Sequence, residues 1–295
     1  MIDKHVPVML KDSIDYLSIK KNGVYVDCTF GSGGHSREIL LNLEDSGKLI
    51  SFDCDDSTSI WRSEFQDNRF FFINDNFSNL SSQLEKMKIE HVDGFLFDLG
   101  LSSMQLELPR GFSYRNESSP LDMRMDSRTD LTAEEIINNF SSQDLADIFF
   151  ILGEERKSYK LANAIVRYRE KNKIVSSEDL VKIITGVLGK RKNKQHPAKK
   201  IFQALRIKVN NELENLENAL NSALKLLAPS GRIVVISYHS LEDRIVKNFF
   251  RNKINEDNSF VVLSKKPILP KDDEIYSNRK SRSAKMRIIE RIKNN

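Results

Sequence analysis

Short apolar runs alternate with segments of helical spacing along the first hundred residues. The apolar runs end on acidic or polar residues, and the segments between them place apolar side chains on one face. This alternation is typical of βαβ units in an open parallel sheet. The predicted strands are Val24–Asp27, Leu49–Phe52, Arg69–Ile73 and Val92–Asp98, and the predicted helices are Lys11–Leu17, Ser36–Leu43, Asp56–Phe65 and Ser78–Lys88.

The pattern changes after the fourth strand. From Glu107 to about Lys208 no strand signal occurs, and helices are predicted instead, one of them opened by a capping box at Thr132 and Glu135. Three further helices are predicted at Gln143–Leu152, Lys157–Lys171 and Ser177–Leu188. We therefore expect an all-helical domain at 107–208, inserted into a sheet domain formed by 1–106 and 209–295.

The chain then returns to the sheet pattern. Apolar positions at helical spacing from Ala198 to Leu227 predict one long helix, stopped by Pro229-Ser230-Gly231. A fifth strand, a helix and an antiparallel edge pair complete a seven-stranded sheet, at Arg232–Ser237, Leu241–Arg251, Phe260–Leu263 and Lys285–Ile292.

Candidate chemistry begins at the turn after the first strand. Gly31, Gly33 and Gly34 lie between a strand that ends on Asp27 and the helix that follows. Glycines let the backbone approach a ligand closely, and a helix N-terminus offers free N–H groups. Asp53, after the second strand, is placed to accept hydrogen bonds from ribose hydroxyls, so an adenosine-containing cofactor is expected.

The spacing within this turn favours S-adenosylmethionine (AdoMet) as the cofactor. A dinucleotide fingerprint has a third glycine where this chain has Ser36. The arrangement D-x-x-x-G-x-G-G looks more like the first motif of class I AdoMet-dependent methyltransferases. An NAD-dependent oxidoreductase is the weaker alternative, and a turn that serves only as a connection is another.

Composition and charge narrow the class of protein. The chain has 295 residues, 39% hydrophobic and 30% charged, with two cysteines. We expect a cytoplasmic protein without a signal peptide or membrane span. Residues 151–210 hold 16 Lys and Arg against 5 Asp and Glu, a net charge of +11, and residues 276–295 carry +6 on a chain of net charge +4. Two basic segments on an otherwise acidic chain indicate contact with a polyanion such as RNA, although a solvated lysine-rich surface would have the same composition.

Several motifs together resemble the MraW (RsmH) family, from His5 to Glu290 and in the family's order. They read TFGSGGHS, DLGLSS, RGFSY, LDMRMD, GEER, HPA, SYHSLEDR and RSAKMRI in this chain. The resemblance implies a class I fold and methylation of the exocyclic N4 amine of a cytidine in the decoding region of 16S ribosomal RNA. It also implies AdoMet contacts at Gly33, Gly34, His35, Asp53, Phe77, Asp98 and Gln105.

The catalytic groups are expected at the carboxyl ends of the fourth and fifth strands. Many amino methyltransferases of bases have a P-P-Y-type loop after the fourth strand, and this chain has Leu99–Ser103 there instead. The candidates for holding the amine are Asp98, Ser102, Ser103, Tyr238 and His239. Asp122, Arg124 and Asp126 could close the site or could form a structural ion-pair cluster, and no metal is expected.

The expected partner is 16S ribosomal RNA or the small ribosomal subunit, bound through segments 151–210 and 276–295, and a homodimer is left open. Neutralising Lys190-Arg191-Lys192 is predicted to weaken RNA affinity and leave AdoMet binding intact. Two alternatives remain in other classes: an AdoMet-dependent methyltransferase of DNA or of a small molecule, and a non-catalytic RNA-binding module.

Overall fold

The computed structural model describes residues 6–115, 118–189 and 196–293. The chain divides into two compact units, one of Met1–Gly100 with Leu213–Asn295 and one of Leu101–Glu212. The boundaries predicted from the sequence were after residues 106 and 208. The Lys190–Lys192 run lies outside the described residues.

Seven strands of the described chain form one sheet in the order β3-β2-β1-β4-β5-β7-β6. The first five are parallel, and β7 lies antiparallel between β5 and β6. This sheet agrees with the class I methyltransferase fold that the family resemblance implies, and β6 and β7 form the antiparallel edge pair predicted from the sequence. The strands are β1 Val24–Asp27, β2 Lys48–Phe52, β3 Phe70–Ile73, β4 Val92–Asp98, β5 Leu227–Ser237, β6 Phe260–Val262 and β7 Lys285–Arg291.

Both faces of the sheet are buried, which explains why its strands read as continuous apolar runs. Side chains alternate between two cores because successive residues of a strand point to opposite faces. Val26 and Phe95 contribute to the core that includes α11 and α12, and Tyr25 and Leu96 contribute to the core that includes α1 and α2. The helices of this unit are α1 Leu10–Leu17, α2 Gly34–Leu41, α3 Ser59–Arg62, α4 Leu80–Lys86, α11 Glu212–Leu226, α12 Ser240–Glu256 and α13 Asp272–Ser277.

The second unit has its own hydrophobic core, built from helices. The capping box predicted at Thr132 is present, and α9 has the predicted bounds. Two motifs of the sequence meet here, since the rings of Tyr114 and His196 stack with their centroids 4.9 Å apart. Its helices are α5 Ser103–Glu107, α6 Ala133–Asn139, α7 Ser142–Ile151, α8 Ser158–Arg169, α9 Ser177–Leu188 and α10 Ala198–Asn210.

The prediction of one continuous helix from Ala198 to Leu227 was wrong. Asn211 adopts a left-handed conformation, with φ of 49°, and ends α10 before α11 begins. Asparagine tolerates this conformation better than most residues, which explains why the helix can end at this position. The apolar periodicity continues on both sides of the break and does not reveal it. Leu227 already belongs to β5, whose pairing with β4 shifts register between Val92 and Gly94.

Three shorter predictions also need correction. The segment 56–65 contains a 3-10 turn at Asp56–Thr58 followed by the four-residue α3, not one helix. No helix was predicted directly after β4, but α5 begins at Ser103, with Ser102 as its N-cap. Helix α13 was not predicted. Among the described residues every helix is too short or too polar to span a bilayer.

Candidate active site at the carboxyl edge of the sheet

Parallel pairing brings three predicted site residues and Asp27 to one edge of the sheet. Strands β1, β2, β4 and β5 run in the same direction, so their carboxyl ends meet at that edge. Asp27 and Asp98 end β1 and β4, while Asp53 and Tyr238 follow β2 and β5 directly. The strand order reverses between β1 and β4, and open α/β sheets bind their ligands at such a point.

Asp53 connects the glycine turn to the end of β2. Its two carboxylate oxygens accept hydrogen bonds from the backbone N–H of Gly31, at 2.8 Å, and of Asp55, at 2.9 Å. Burial raises the pKa of Asp53 to about 7, more than these hydrogen bonds lower it. Each oxygen keeps a second lone pair, so the carboxylate retains the capacity to accept a ribose hydroxyl.

The glycines of the turn fit a closely approaching ligand. Gly31 has a φ of +54°, and a Cβ there would meet no atom within 4 Å, so the space above it is open. Gly33 has a φ of +75°, and its Cβ would come within 2.7 Å of the Phe65 ring. A Cβ on Gly34 would overlap the ring of Pro7. The turn therefore has open space on one side and close packing on the other.

Asp27, at the end of β1, forms hydrogen bonds with residues on both sides of the glycine turn. Its buried carboxylate accepts hydrogen bonds from the Thr29 N–H at 3.1 Å and from the Ser36 hydroxyl at 2.6 Å. Burial raises the pKa of Asp27 to about 6. Ser36, which stands where a dinucleotide fingerprint has glycine, is thus a buried partner of Asp27 and Ser51.

Asp98 and Tyr238 form a hydrogen-bonded pair across β4 and β5. The Tyr238 hydroxyl donates to Asp98 Oδ1 at 2.6 Å, and the Asp98 N–H donates to the Thr29 hydroxyl at 2.7 Å. Burial raises the pKa of Asp98 to about 7, although the Tyr238 hydrogen bond acts in the opposite direction. Burial and the neighbouring carboxylate also hold the pKa of Tyr238 well above its usual value.

His35 lies close to this pair. Its Nδ1 is 3.7 Å from Asp98 Oδ2, and its side chain is buried at the start of α2. The structure therefore brings Gly33, Gly34 and His35 of the turn together with Asp53, Asp98 and Tyr238. A carboxylate whose pKa lies near neutrality, at the end of a strand beside a glycine turn, is a candidate for binding and for proton transfer.

His239 is engaged at the start of α12. Its Nδ1 accepts from the Glu242 N–H at 3.4 Å, and its Nε2 lies 3.0 Å from Glu242 Oε1. Glu242 Oε2 in turn accepts from the Tyr238 N–H at 2.8 Å. Both ring nitrogens of His239 face Glu242, so contact of this side chain with a substrate stays a prediction.

Phe77 lies after β3 and is half-buried, with its ring edge-on to Phe97 at a centroid distance of 5.9 Å. The Asn76 side chain accepts from the Ser78 N–H and starts the 3-10 turn that begins at Phe77. Nearby, the Asn74 side chain donates to the Asp53 carbonyl at 3.2 Å. Phe77 thus packs against β4, and Asn74, three residues before it, contacts Asp53; that Phe77 lies along the adenine of the cofactor stays a prediction.

Sequence reasoning missed Glu274. Its Oε1 accepts from the Met9 N–H at 2.6 Å, and its negative charge contributes to the raised pKa of both Asp98 and Tyr238. The only signal in the sequence is the acidic start of α13, Asp272-Asp273-Glu274, which is equally typical of an ordinary helix N-terminus.

The other predicted residues lie in the second unit. Ser102 and Gln105 form the capping box of α5: the Ser102 hydroxyl accepts from the Gln105 N–H at 3.2 Å, and Gln105 Oε1 accepts from the Ser102 N–H at 3.0 Å. Gln105 is buried. Their contacts with a cofactor or an amine stay predictions, and so does that of Ser103.

The acid–Met–Arg–Met–acid run forms local ion pairs within the second unit. Arg124 Nε lies 2.8 Å from Asp122 Oδ1, and Arg128 Nε lies 2.8 Å from Asp126 Oδ1. The Asn210 side chain donates to the Met123 carbonyl at 2.8 Å. These contacts favour the structural interpretation of the run, and closure of the site by it stays a prediction.

The sheet order, with a glycine turn after β1 and acidic residues at the ends of β1, β2 and β4, defines the class of protein as a class I methyltransferase. A family model described as the MraW methylase family matches residues 3–292. The chain belongs to this family, which confirms the predictions of a methyltransferase and of AdoMet as its cofactor.

Named relatives agree with this assignment. A protein of Halothermothrix orenii is 42% identical over 310 residues, which cover 99% of both chains. A protein of Mycoplasma capricolum subsp. capricolum is 47% identical over 313 residues, covering 98% of this chain and all of the relative. Both are named ribosomal RNA small subunit methyltransferase H. Among solved structures, an rRNA methylase from Streptococcus thermophilus covers 99% of each chain at 13% identity, with a TM-score of 0.46.

Proposed function

We propose that this protein transfers a methyl group from AdoMet to the exocyclic N4 amine of a cytidine in the decoding region of 16S ribosomal RNA. Family membership and the names of the relatives support methylation of the small-subunit RNA. The Asp98–Tyr238 pair beside the glycine turn carries the proposal for an amine substrate, because a carboxylate can accept a hydrogen bond from an amine and position it.

The cofactor is held along the carboxyl edge of the sheet. AdoMet, when bound, supplies a methyl group on a positively charged sulfur. The backbone at Gly33, Gly34 and His35 would pack against it, and the Asp53 carboxylate would accept hydrogen bonds from its ribose hydroxyls. Phe77 would lie along the adenine. The left-handed glycines and the open space at Gly31 support this arrangement.

Asp98 is the proposed holder of the target amine. The lone pair of a cytosine amine is delocalised into the ring, so an enzyme must orient the amine and accept a proton from it. Tyr238 fixes the Asp98 carboxylate through the 2.6 Å hydrogen bond, which leaves Oδ2 to accept from the amine. Ser102 and His239 would complete the contacts on the amine, and Gln105 those on the cofactor.

Ribosomal RNA is bound by the two basic segments. Residues 151–210 carry a net charge of +11 and residues 276–295 carry +6, so both attract a phosphate backbone. The helical unit is the proposed RNA-recognition domain, and a cytoplasmic location follows from this substrate.

The test is methyl transfer from labelled AdoMet to small ribosomal subunits prepared without this modification, followed by digestion of the RNA to nucleosides. N4-methylcytidine is the expected product, and a DNA duplex of matching sequence is the control substrate. Label in another nucleoside, or on DNA alone, would contradict the proposal. If AdoMet binds but no methyl group is transferred to subunits or to naked 16S RNA, the proposed substrate is wrong and the assignment of AdoMet as the cofactor stands.

A further inference from the structure

Residues 269–284 form an excursion that leaves the sheet and returns to it at one place. Ile268 and Met286 exchange two backbone hydrogen bonds of 2.9 Å, so the segment between them is closed at its base. In the antiparallel ladder of β5 and β7, Lys285 pairs with Ser237, the residue before Tyr238. The excursion therefore begins and ends at the edge of the sheet that holds Asp98 and Tyr238.

The excursion is also attached to the segment that packs on the glycine turn. Glu274 accepts from the Met9 N–H at 2.6 Å, and the Asn278 side chain donates to the Val6 carbonyl at 3.1 Å. Pro7, which lies between Val6 and Met9 in the chain, packs directly against Gly34. These contacts place the excursion beside the proposed cofactor site and hold it at two points.

The outer surface of the excursion combines an aromatic ring with positive charge. Tyr276 is 91% exposed, which is unusual for so large an apolar ring. Arg279 and Arg282 are exposed too, and neither makes an ion pair with another described residue. Exposed aromatic rings next to cationic side chains are how proteins hold single-stranded nucleic acid, since every base can stack and every phosphate attracts the charge.

We propose that Tyr276 stacks against an unpaired base that flanks the target nucleotide, and that Arg279 and Arg282 bind the phosphates of the same RNA strand. The proposal rests on the proposed function and specifies how the substrate is held at the active-site edge. A nucleotide must leave its helical stack to reach a methyl donor, and its neighbours lose stacking partners at the same time. A ring at the rim of the site would replace one of those partners.

The first test replaces the ring. Tyr276→Ala should raise the KM for small-subunit RNA by about 5- to 150-fold, the range that loss of one stacked base produces. Its kcat and its affinity for AdoMet should stay near those of the wild type. Tyr276→Phe, which keeps a ring and loses only the hydroxyl, should restore the KM. Leu41→Ala is the matched control, because Leu41 is 73% exposed and lies at the opposite end of α2 from the glycine turn.

The second test concerns the charges. Arg279→Gln together with Arg282→Gln should lower the slope of log affinity against log salt by about 1.4, since each single-strand phosphate contact contributes about 0.7. Equal KM values for Tyr276→Ala and the wild type, with active wild-type protein, would overturn the inference and leave the proposed function standing. Absence of transfer to ribosomal RNA by the wild type would overturn both. If Tyr276→Ala raised the KM for assembled subunits and not for naked 16S RNA, the partner of Tyr276 would be a ribosomal protein. That result would contradict stacking on RNA.

Discussion

At the scale of single residues, the proposed role of Asp98 depends on how two opposing effects act on its pKa. Burial and three nearby carboxylates raise its pKa, and the Tyr238 hydrogen bond lowers it, with a result of about 7. Near neutral pH the side chain therefore exchanges between the carboxylate and the acid. A group with this pKa is well matched to proton transfer at physiological pH.

Asp98→Asn should lower kcat by about 10²- to 10⁴-fold, because the amide cannot accept a proton from the amine. In the wild type the rate should rise with pH and reach half its maximum near pH 7, since only the carboxylate is active. Single-turnover methyl transfer between pH 5.5 and 8.5 measures both. Asp45→Asn, at an exposed carboxylate, is the control. A pH-independent wild-type rate would remove Asp98 from this role.

Tyr238→Phe should move the midpoint of that pH profile to higher pH. The Tyr238 hydroxyl stabilises the carboxylate form of Asp98, so its removal raises the pKa of Asp98 further. The rate at pH 7 should fall and recover in part at pH 8.5. Tyr25→Phe is the control, because its hydroxyl accepts from the Lys20 N–H in the same unit. A shift of the profile to lower pH would contradict the assignment.

At the scale of elements, the glycine turn shows how packing and cofactor binding impose different demands on neighbouring residues. Gly31 has open space beside it, whereas Gly34 is packed against Pro7. The first glycine leaves room for a ligand, and the second lets residues 6–9 lie on the start of α2. The turn therefore depends on a segment that precedes it by more than twenty residues.

Gly34→Ala should weaken AdoMet binding by about tenfold or more and lower the free energy of unfolding by about 1–3 kcal/mol, because the new methyl group overlaps Pro7. Calorimetric titration and chemical denaturation measure the two effects. Gly186→Ala is the matched control: Gly186 lies within α9 with no atom near its Cβ position, and alanine should stabilise that helix by roughly 0.5–1 kcal/mol. An unchanged AdoMet affinity in Gly34→Ala would show that the turn does not need this packing.

At the scale of the whole molecule, two groups of carboxylates respond oppositely to pH. Asp27, Asp53 and Asp98 have raised pKa values, so the folded state binds more protons than the unfolded state between about pH 4 and pH 7. Ion pairs and hydrogen bonds lower the pKa of other carboxylates, which include Asp122, Asp126, Asp179 and Asp243. These contribute stability above the usual pKa and lose it as the pH falls below about 4.

The free energy of unfolding of the protein without AdoMet should therefore decrease as the pH rises from about 4 to about 7. Urea denaturation at pH 5, 6, 7 and 8 measures this decrease. Asp27→Asn should reduce it, because the substitution removes one carboxylate that must ionise in the folded state. Stability that increases steadily over this range in the wild type would contradict the raised pKa values.

Much of the fold could be predicted from local pattern. Apolar runs of four to seven residues gave β1, β3 and β4 to within one residue, and α9 was predicted with its bounds because Ser176 caps it and its periodicity is strong. The candidate site residues at strand ends could also be predicted from the sequence, since parallel strands necessarily bring their carboxyl ends together. Family motifs added His35 and Gln105, which the pattern alone did not indicate.

Other features depend on contacts between distant parts of the chain. Asp98 and Tyr238 are 140 residues apart, and Glu274 meets Met9 across 265 residues. The break at Asn211 leaves the helical periodicity intact on both sides, so no local pattern marks it. Residue spacing by itself determined the elements, the strand-end acids and the cofactor turn, because these follow from periodicity along the chain. Only the tertiary structure decided which distant side chains form hydrogen bonds and where the excursion at 269–284 lies, because strand pairing sets those distances.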